Sequence, residues 1–288
     1  MRCICCSHAT RLYGSDVIRA FWVLAAVLTA ATLTFLALPI VAVFLRVPPG
    51  EAYLSPVAID ALRLTAETSL VANAVFVAVG TPAAYLLAVR RFPGRGALLT
   101  LCELPLVLPP AVAGIGLLVA FGRAGLLGGT LDALGWQVAF TKAAVVLAVV
   151  FVAGPLYLRG AVAAFDAVDR ECLEAARTLG AGPGRVFARV AVPMAAGGLA
   201  AAWATAFARG VGEFGATIIF AGSLRGTTQT LPLAVYSQFQ SDLDTALAIG
   251  GLLILFAVLV LACLRLIPPC RTLLRRASRS RGATSPST

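Results

Sequence analysis

Residues 143–193 read AAVVLAVVFVAGPLYLRGAVAAF followed by DAVDRECLEAARTLGAGPGRVFARVAVP. From Ala143 to Phe165 only Arg159 is charged, and from Asp166 onward acids and bases crowd together. An apolar run of this length crosses a bilayer as a helix, for which about 20 residues suffice. The change at Asp166 marks where the chain leaves lipid. Runs of similar character occupy 20–45, 68–89, 98–121, 194–220 and 246–264, so six spans are expected. In hydrocarbon every backbone polar group must be satisfied internally, which favours helices. The runs are too continuous for the alternating strands of a membrane barrel. The expected fold is an all-α integral membrane protein of about six transmembrane helices, with a polar loop between the fourth and fifth.

Composition agrees. Of 288 residues, 60% are hydrophobic and 12% charged, against about 25% charged in a soluble domain. A soluble enzyme is therefore not expected. The net charge is +10, and arginines sit at the ends of apolar runs. That placement suits a lipid bilayer as partner and not nucleic acid. If the N-terminus is cytoplasmic, the inner segments carry seventeen basic residues, Arg159 counted among them, and the outer segments five. Arg209 is the one basic residue assigned inside a span. This bias predicts both termini inside.

The first run is longer than a signal-peptide core and reads as a retained helix. Residues 1–18 are expected to form a cytoplasmic extension, 19–267 the transmembrane domain, and 268–288 a basic, Ser/Thr-rich cytoplasmic tail. All seven cysteines fall in inner segments or near the inner face, which argues against a disulfide framework. Pro39, Pro82, Pro105, Pro109, Pro110 and Pro155 interrupt spans and are expected to kink them for packing.

Within the polar loop, Asp166, Asp169, Glu171 and Glu174 precede Arg177, Arg185 and Arg189. Acid before base suits a helix dipole. A helix from Val168 to Leu179 is expected, stopped by Gly180. Gly182, Pro183 and Gly184 then turn the chain into a second short helix from about Arg185.

Glu174-Ala175-Ala176, Gly180 and Val190-Ala191-Val192-Pro193 resemble the EAA loop of the membrane subunits of bacterial ATP-driven import systems. The spacing fits that pattern, with Val190 and Val192 where Ile and Leu are usual. The resemblance implies a coupling helix that docks on a separate ATPase subunit, with Glu174, Ala175, Ala176, Gly180 and Pro193 as its residues. The chain has no Gly-Lys pair and so no phosphate-binding loop of its own. ATP hydrolysis is expected on another polypeptide, and this chain is expected to be a transport subunit without catalytic residues.

Further on, Ala208–Tyr236 reads ARGVGEFGATIIFAGSLRGTTQTLPLAVY. Arg209 and Glu213 are expected in the outer half of the fifth span, four apart on one helix face. Such charges are costly in lipid and face protein or water, either as a pair that holds helices together or as lining of a route. The segments GEFGAT, FAG and TQTLPLAVY resemble molybdate importer permeases of the sulfate and molybdate branch. That resemblance implies an extracytoplasmic binding protein, a homodimer of the permease in a bacterial inner membrane, and an oxyanion path. Arg209, Glu213, Phe214, Gly215 and Thr217 are the candidate path residues. Gly210, Gly212 and Gly215 are expected to serve packing, and Ser223, Thr227, Thr228 and Gln229 to sit in an outer loop.

No cofactor or metal is expected. Cys3, Cys5, Cys6 and His8 cluster near the N-terminus, but adjacent cysteines suit a closed metal shell poorly. Glu103 and Asn73 are expected to be satisfied by interhelix hydrogen bonds. Sulfate or tungstate transport is the alternative within the branch. An ion-driven secondary carrier is the alternative outside it, although no internal repeat is visible.

Overall fold

The computed structural model describes residues 15–46, 53 and 55–266, and every regular element among them is helical. The chain divides into two units, 1–48 and 49–288. The first contributes one helix, α1 (Ser15–Arg46), with Pro39 inside it.

The second unit begins with α2 (Pro56–Val75), which runs through a π-helical turn at Phe76–Gly80 into α3 (Thr81–Val89). The bent pair α4 (Arg95–Val107) and α5 (Pro110–Phe121) follows, then the short α6 (Gly128–Ala133) and the long α7 (Lys142–Asp166). Next come α8 (Arg170–Thr178) and α9 (Pro183–Val186), which passes through a second π turn at Phe187–Ala191 into α10 (Val192–Val211). The chain closes with α11 (Gly215–Phe220), α12 (Leu231–Phe239) and α13 (Leu243–Leu266).

Each π turn stands immediately before a proline at the second position of the next helix, Pro82 and Pro193. Proline has no N–H for the i−4 carbonyl and its ring crowds that carbonyl. A wider turn relieves both problems without breaking the rod.

Among the described residues, five continuous helical stretches are long and apolar enough to cross a membrane: Val17–Arg46, Pro56–Val89, Lys142–Asp166, Pro183–Val211 and Leu243–Cys263. The expected third span, 98–121, is not one rod. α4 and α5 meet at 111°, and they count as a sixth span only if taken together. Leu108 is extended, with ψ 134°, and Pro109 also has ψ 135°. Two successive prolines explain this, because the residue before a proline is pushed out of the helical region. The expected fifth span also differs. It begins at Pro183 and stops at Val211, and residues 215–220 form the separate helix α11.

α7 and α10 pack along each other as an antiparallel pair. A Cβ added to Gly160 would lie 2.6 Å from Ala202 Cβ, and one added to Gly198 would lie 2.5 Å from Ala164 Cβ. Without hydrophobic drive between helices in lipid, such backbone approach is the main source of association. Around this seam lies a buried cluster that includes Phe76, Tyr157, Phe165, Val186 and Ala206. Phe76 stacks on Tyr157 with ring centroids 6.0 Å apart, and the Tyr157 hydroxyl is 2.6 Å from Thr81 Oγ1. A second cluster joins Leu117, Val145 and Phe220, and a third joins Ala61, Leu231 and Ile249.

Asp242 caps α13. Its carboxylate accepts the Thr245 hydroxyl at 2.6 Å and the Thr245 N–H at 3.1 Å, and these bonds hold it below the usual carboxylate range.

Candidate functional site

Two places gather the residues singled out in the sequence. The first is α8, at the Asp166 end of α7. Asp169 starts the helix, its carboxylate accepting the Glu171 N–H at 2.9 Å. The helix ends in a Schellman motif. Ala181 N–H donates to Ala176 O at 3.0 Å and Gly180 N–H to Arg177 O at 2.9 Å, with Gly180 at φ +83°. This is the left-handed C′ position that glycine occupies without strain. The expected stop at Gly180 is thus present, and the observed helix is Arg170–Thr178.

α8 is strongly two-sided. Leu173 is its one buried residue, and Ala176 packs partly against the same cluster. Beneath them Tyr85, Phe165 and Phe187 form an aromatic group, with Tyr85 5.3 Å from Phe165 and 5.0 Å from Phe187. The other face leaves Glu174, Ala175 and Gly180 exposed, and Leu179 keeps 88% of its surface. Pro193 lies apart from this helix, in the first turn of α10 and exposed.

The second place is the gap between α10 and α11. Glu213 is not on the helix face that spacing alone suggests, because α10 has ended at Val211. Its carboxylate bridges the gap instead. Oε2 lies 2.6 Å from Arg209 Nη1, and Oε1 accepts the Ala216 N–H of α11 at 2.9 Å. The Glu213 side chain is 1% exposed and that of Arg209 36%. One charge is enclosed while the other remains partly open.

Phe214 packs against Tyr236 of α12, centroids 4.9 Å apart. A Cβ on Gly215 would meet Pro110 Cβ at 2.6 Å, and one on Gly114 would meet Ala216 O at 2.8 Å. The break before α5 and the break before α11 therefore close on each other. A Cβ on Gly210 would meet Val149 Cγ1 at 2.9 Å, so Gly210 and Gly215 serve packing as expected, whereas Gly212 has no close neighbour outside its own helix. Thr217 is 1% exposed, and its hydroxyl has no partner among the described residues.

Several expectations change here. Thr228 and Gln229 lie in the segment between α11 and α12 but are buried there, at 0% and 8% exposed. Leu224 N–H donates to the Thr228 hydroxyl at 3.0 Å, and Gln229 Nε2 donates to Ser237 Oγ at 3.0 Å. Leu231 N–H donates to Thr65 Oγ1 at 2.8 Å, which ties this segment to α2. The buried polar row Thr65, Thr68, Ser69 and Asn73 on α2 was not selected in the sequence as a group. Its three- and four-residue spacing was the available signal. Asn73 donates to Ser69 O of its own helix at 2.7 Å and leaves Oδ1 without a partner among the described residues, so it makes no interhelix bond there.

At the Lys142 end, Glu67 binds both Arg63 and Lys142, at 2.8 and 2.7 Å, and Asp60 lies 3.5 Å from Arg225. Among the described residues no group of three or more His, Cys, Asp or Glu is placed to hold a metal. The cluster Cys3, Cys5, Cys6 and His8 and the tail 268–288 lie outside the described residues.

Residues 80–269 match the family described as binding-protein-dependent transport system inner membrane component. The chain is 43% identical over 233 residues to the molybdenum transport system permease protein ModB of Mycobacterium tuberculosis, an overlap of 80% of this chain and 88% of that protein. It is 35% identical over 231 residues to the sulfate transport system permease protein CysT of Synechococcus elongatus, covering 78% and 83%. A chain of a bacterial alginate ABC transporter, crystallised with its alginate pentasaccharide-bound periplasmic protein, shares the fold. The TM-score is 0.65 at 18% identity, over 88% of this chain and 96% of that one.

Proposed function

This chain belongs to the family of binding-protein-dependent transport system inner membrane components, and we propose that its cargo is molybdate, carried through a path built partly from Arg209 and Glu213. It is a multi-pass inner-membrane transport subunit, and ATP hydrolysis resides on a separate subunit. The molybdate assignment is supported by the 43% identity with a molybdenum permease over most of both chains.

The observation that carries the mechanism is the two-sided α8. Leu173 anchors it to the membrane unit, while Glu174, Ala175 and Leu179 remain uncovered beyond it. In this reading that face seats in a cleft of the ATPase subunit, and Gly180 fixes the angle at which the chain leaves. Closure of the ATPase on nucleotide then pushes α8 against the aromatic group of Tyr85, Phe165 and Phe187. The push reaches α10 through Phe187. A two-state membrane unit biased in this way alternates its access.

The arginine bias supports an orientation with α8 on the cytoplasmic side and both termini inside, with α4 and α5 counted as one span. A homodimer supplies the second wall of the path. An extracytoplasmic binding protein delivers the anion at the Lys142 end.

The test is reconstitution with the partner ATPase and binding protein in proteoliposomes. ATP-dependent molybdate uptake is expected, with tungstate and sulfate as graded competitors. Uptake that persists without the ATPase, or ATP-driven uptake of none of these oxyanions, would overturn the reading.

A further inference from the structure

α4 and α7 are joined by two ion pairs of opposite polarity. Arg95 Nη2 lies 3.1 Å from Asp166 Oδ2, where α4 begins and α7 ends. Glu103 Oε1 lies 3.6 Å from Arg159 Nε. At 1.5 Å rise per residue the second pair stands about 11 Å further along both helices. Arg159 is therefore inside a span and not in the adjoining loop, where its charge was counted from the sequence.

The described residues of the second unit do not enclose the pair. The Glu103 side chain keeps 38% of its surface and that of Arg159 67%. A charged pair turned to hydrocarbon at that depth is expensive, and such groups face protein or water. A lone arginine can extend along its stem to the headgroups. Here the short Glu103 side chain holds the guanidinium back through Nε. The closest approach of the two side chains is through Nε, and neither terminal amino group of Arg159 comes nearer to Glu103 than that 3.6 Å.

The same construction stands at Arg209, whose Nη1 is held by Glu213 while its side chain stays 36% exposed. The close contact of Gly160 with Ala202 sets Arg159 nearly level with Ala202, so Arg209 lies about 10 Å further toward the Lys142 end.

We propose that Arg159, positioned by Glu103, is a second anion-contacting residue on the oxyanion route, reached after Arg209 as the ion moves toward α8. The inference rests on the transport reading above. The fork of a guanidinium side chain that keeps 67% of its surface fits two oxygens of a tetrahedral dianion. The adjacent carboxylate weakens the hold, and conduction needs a site that an ion can leave.

The test uses the complete transporter in proteoliposomes. Arg159→Ala is expected to lower molybdate uptake at least tenfold while the ATPase subunit still co-purifies, and Arg159→Lys to recover part of the loss. In a background with the native cysteines replaced by serine, Arg159→Cys is expected to react with a negatively charged, water-soluble thiosulfonate. Added molybdate should slow that reaction. Full uptake by Arg159→Ala, or a cysteine unreactive from water on both sides of the membrane, would remove Arg159 from the route while leaving wild-type transport standing. Absence of oxyanion uptake by the wild-type protein would overturn the transport reading and this inference with it. Should Arg159→Ala fail to fold, the lysine variant and the labelling still decide.

Discussion

Glu213 is tied to Arg209 at 2.6 Å across the end of α10, and its second carboxylate oxygen holds the first turn of α11 through Ala216 N–H. The pair therefore joins two helices in addition to neutralising a charge. Replacing Arg209 by Ala leaves a carboxylate that is 1% exposed without its counterion. We expect a loss of about 1–3 kcal/mol, between the values for exposed and enclosed pairs. Arg209→Ala/Glu213→Gln should recover part of this in thermal unfolding of the detergent-solubilised protein. In proteoliposomes Arg209→Ala should lower uptake while ATPase co-purification is unchanged.

Gly180 offers a cleaner separation of shape from space. A Cβ there would meet nothing within 4 Å, so crowding cannot explain a defect. Its φ of +83° can. Gly180→Val should strain the Schellman turn by about 1–2 kcal/mol and lower co-purification of the ATPase subunit. Gly180→Asn, which tolerates the left-handed region, should retain most of it. Equal behaviour of the two variants would remove backbone conformation as the cause.

The α7–α10 seam predicts a position-specific response to a single methyl group. Gly198→Ala would press Cβ to 2.5 Å from Ala164 Cβ, which is fixed to the backbone and cannot swing away. Overpacking of this kind destabilises by about 1–3 kcal/mol. Gly116→Ala, inside α5 with nothing within 4 Å of its Cβ, should be neutral or stabilise by about 0.5–1 kcal/mol. Melting temperatures of the two variants, measured side by side, check the contrast.

Thr65 accepts the Leu231 N–H at 2.8 Å in a buried setting. Thr65→Val keeps the shape and orphans the donor, with an expected loss of about 1–3 kcal/mol. Faster hydrogen exchange confined to residues near Leu231 would support this anchoring role, and unchanged exchange there would count against it.

Much of this was legible before any coordinates. Apolar length, with Arg159 as the single charge, places Ala143–Phe165 in lipid, because hydrocarbon admits little else. The acid-to-base order and Gly180 locate α8, since caps and stops are local properties of a few neighbouring residues. The breaks were harder to read. Pro109-Pro110 looked like a kink; the prolines do break the helix, and the packing of Gly215 on Pro110 lies at that 111° bend. Arg209 and Glu213 looked like one helix face, because four-residue spacing carries no sign of where a helix ends.

By itself, the sequence determined the solvent, the apolar runs and their charge bias, and the short polar helix ended by Gly180, because each depends on composition or on residues within a turn or two. The tertiary structure decided which polar groups are enclosed and with what. Glu103 meets Arg159, Thr65 meets the chain after Thr230, and Glu213 meets the start of α11. These pairings depend on how separate rods settle against one another. That is set by the summed close packing of many small side chains, which no single stretch of sequence records.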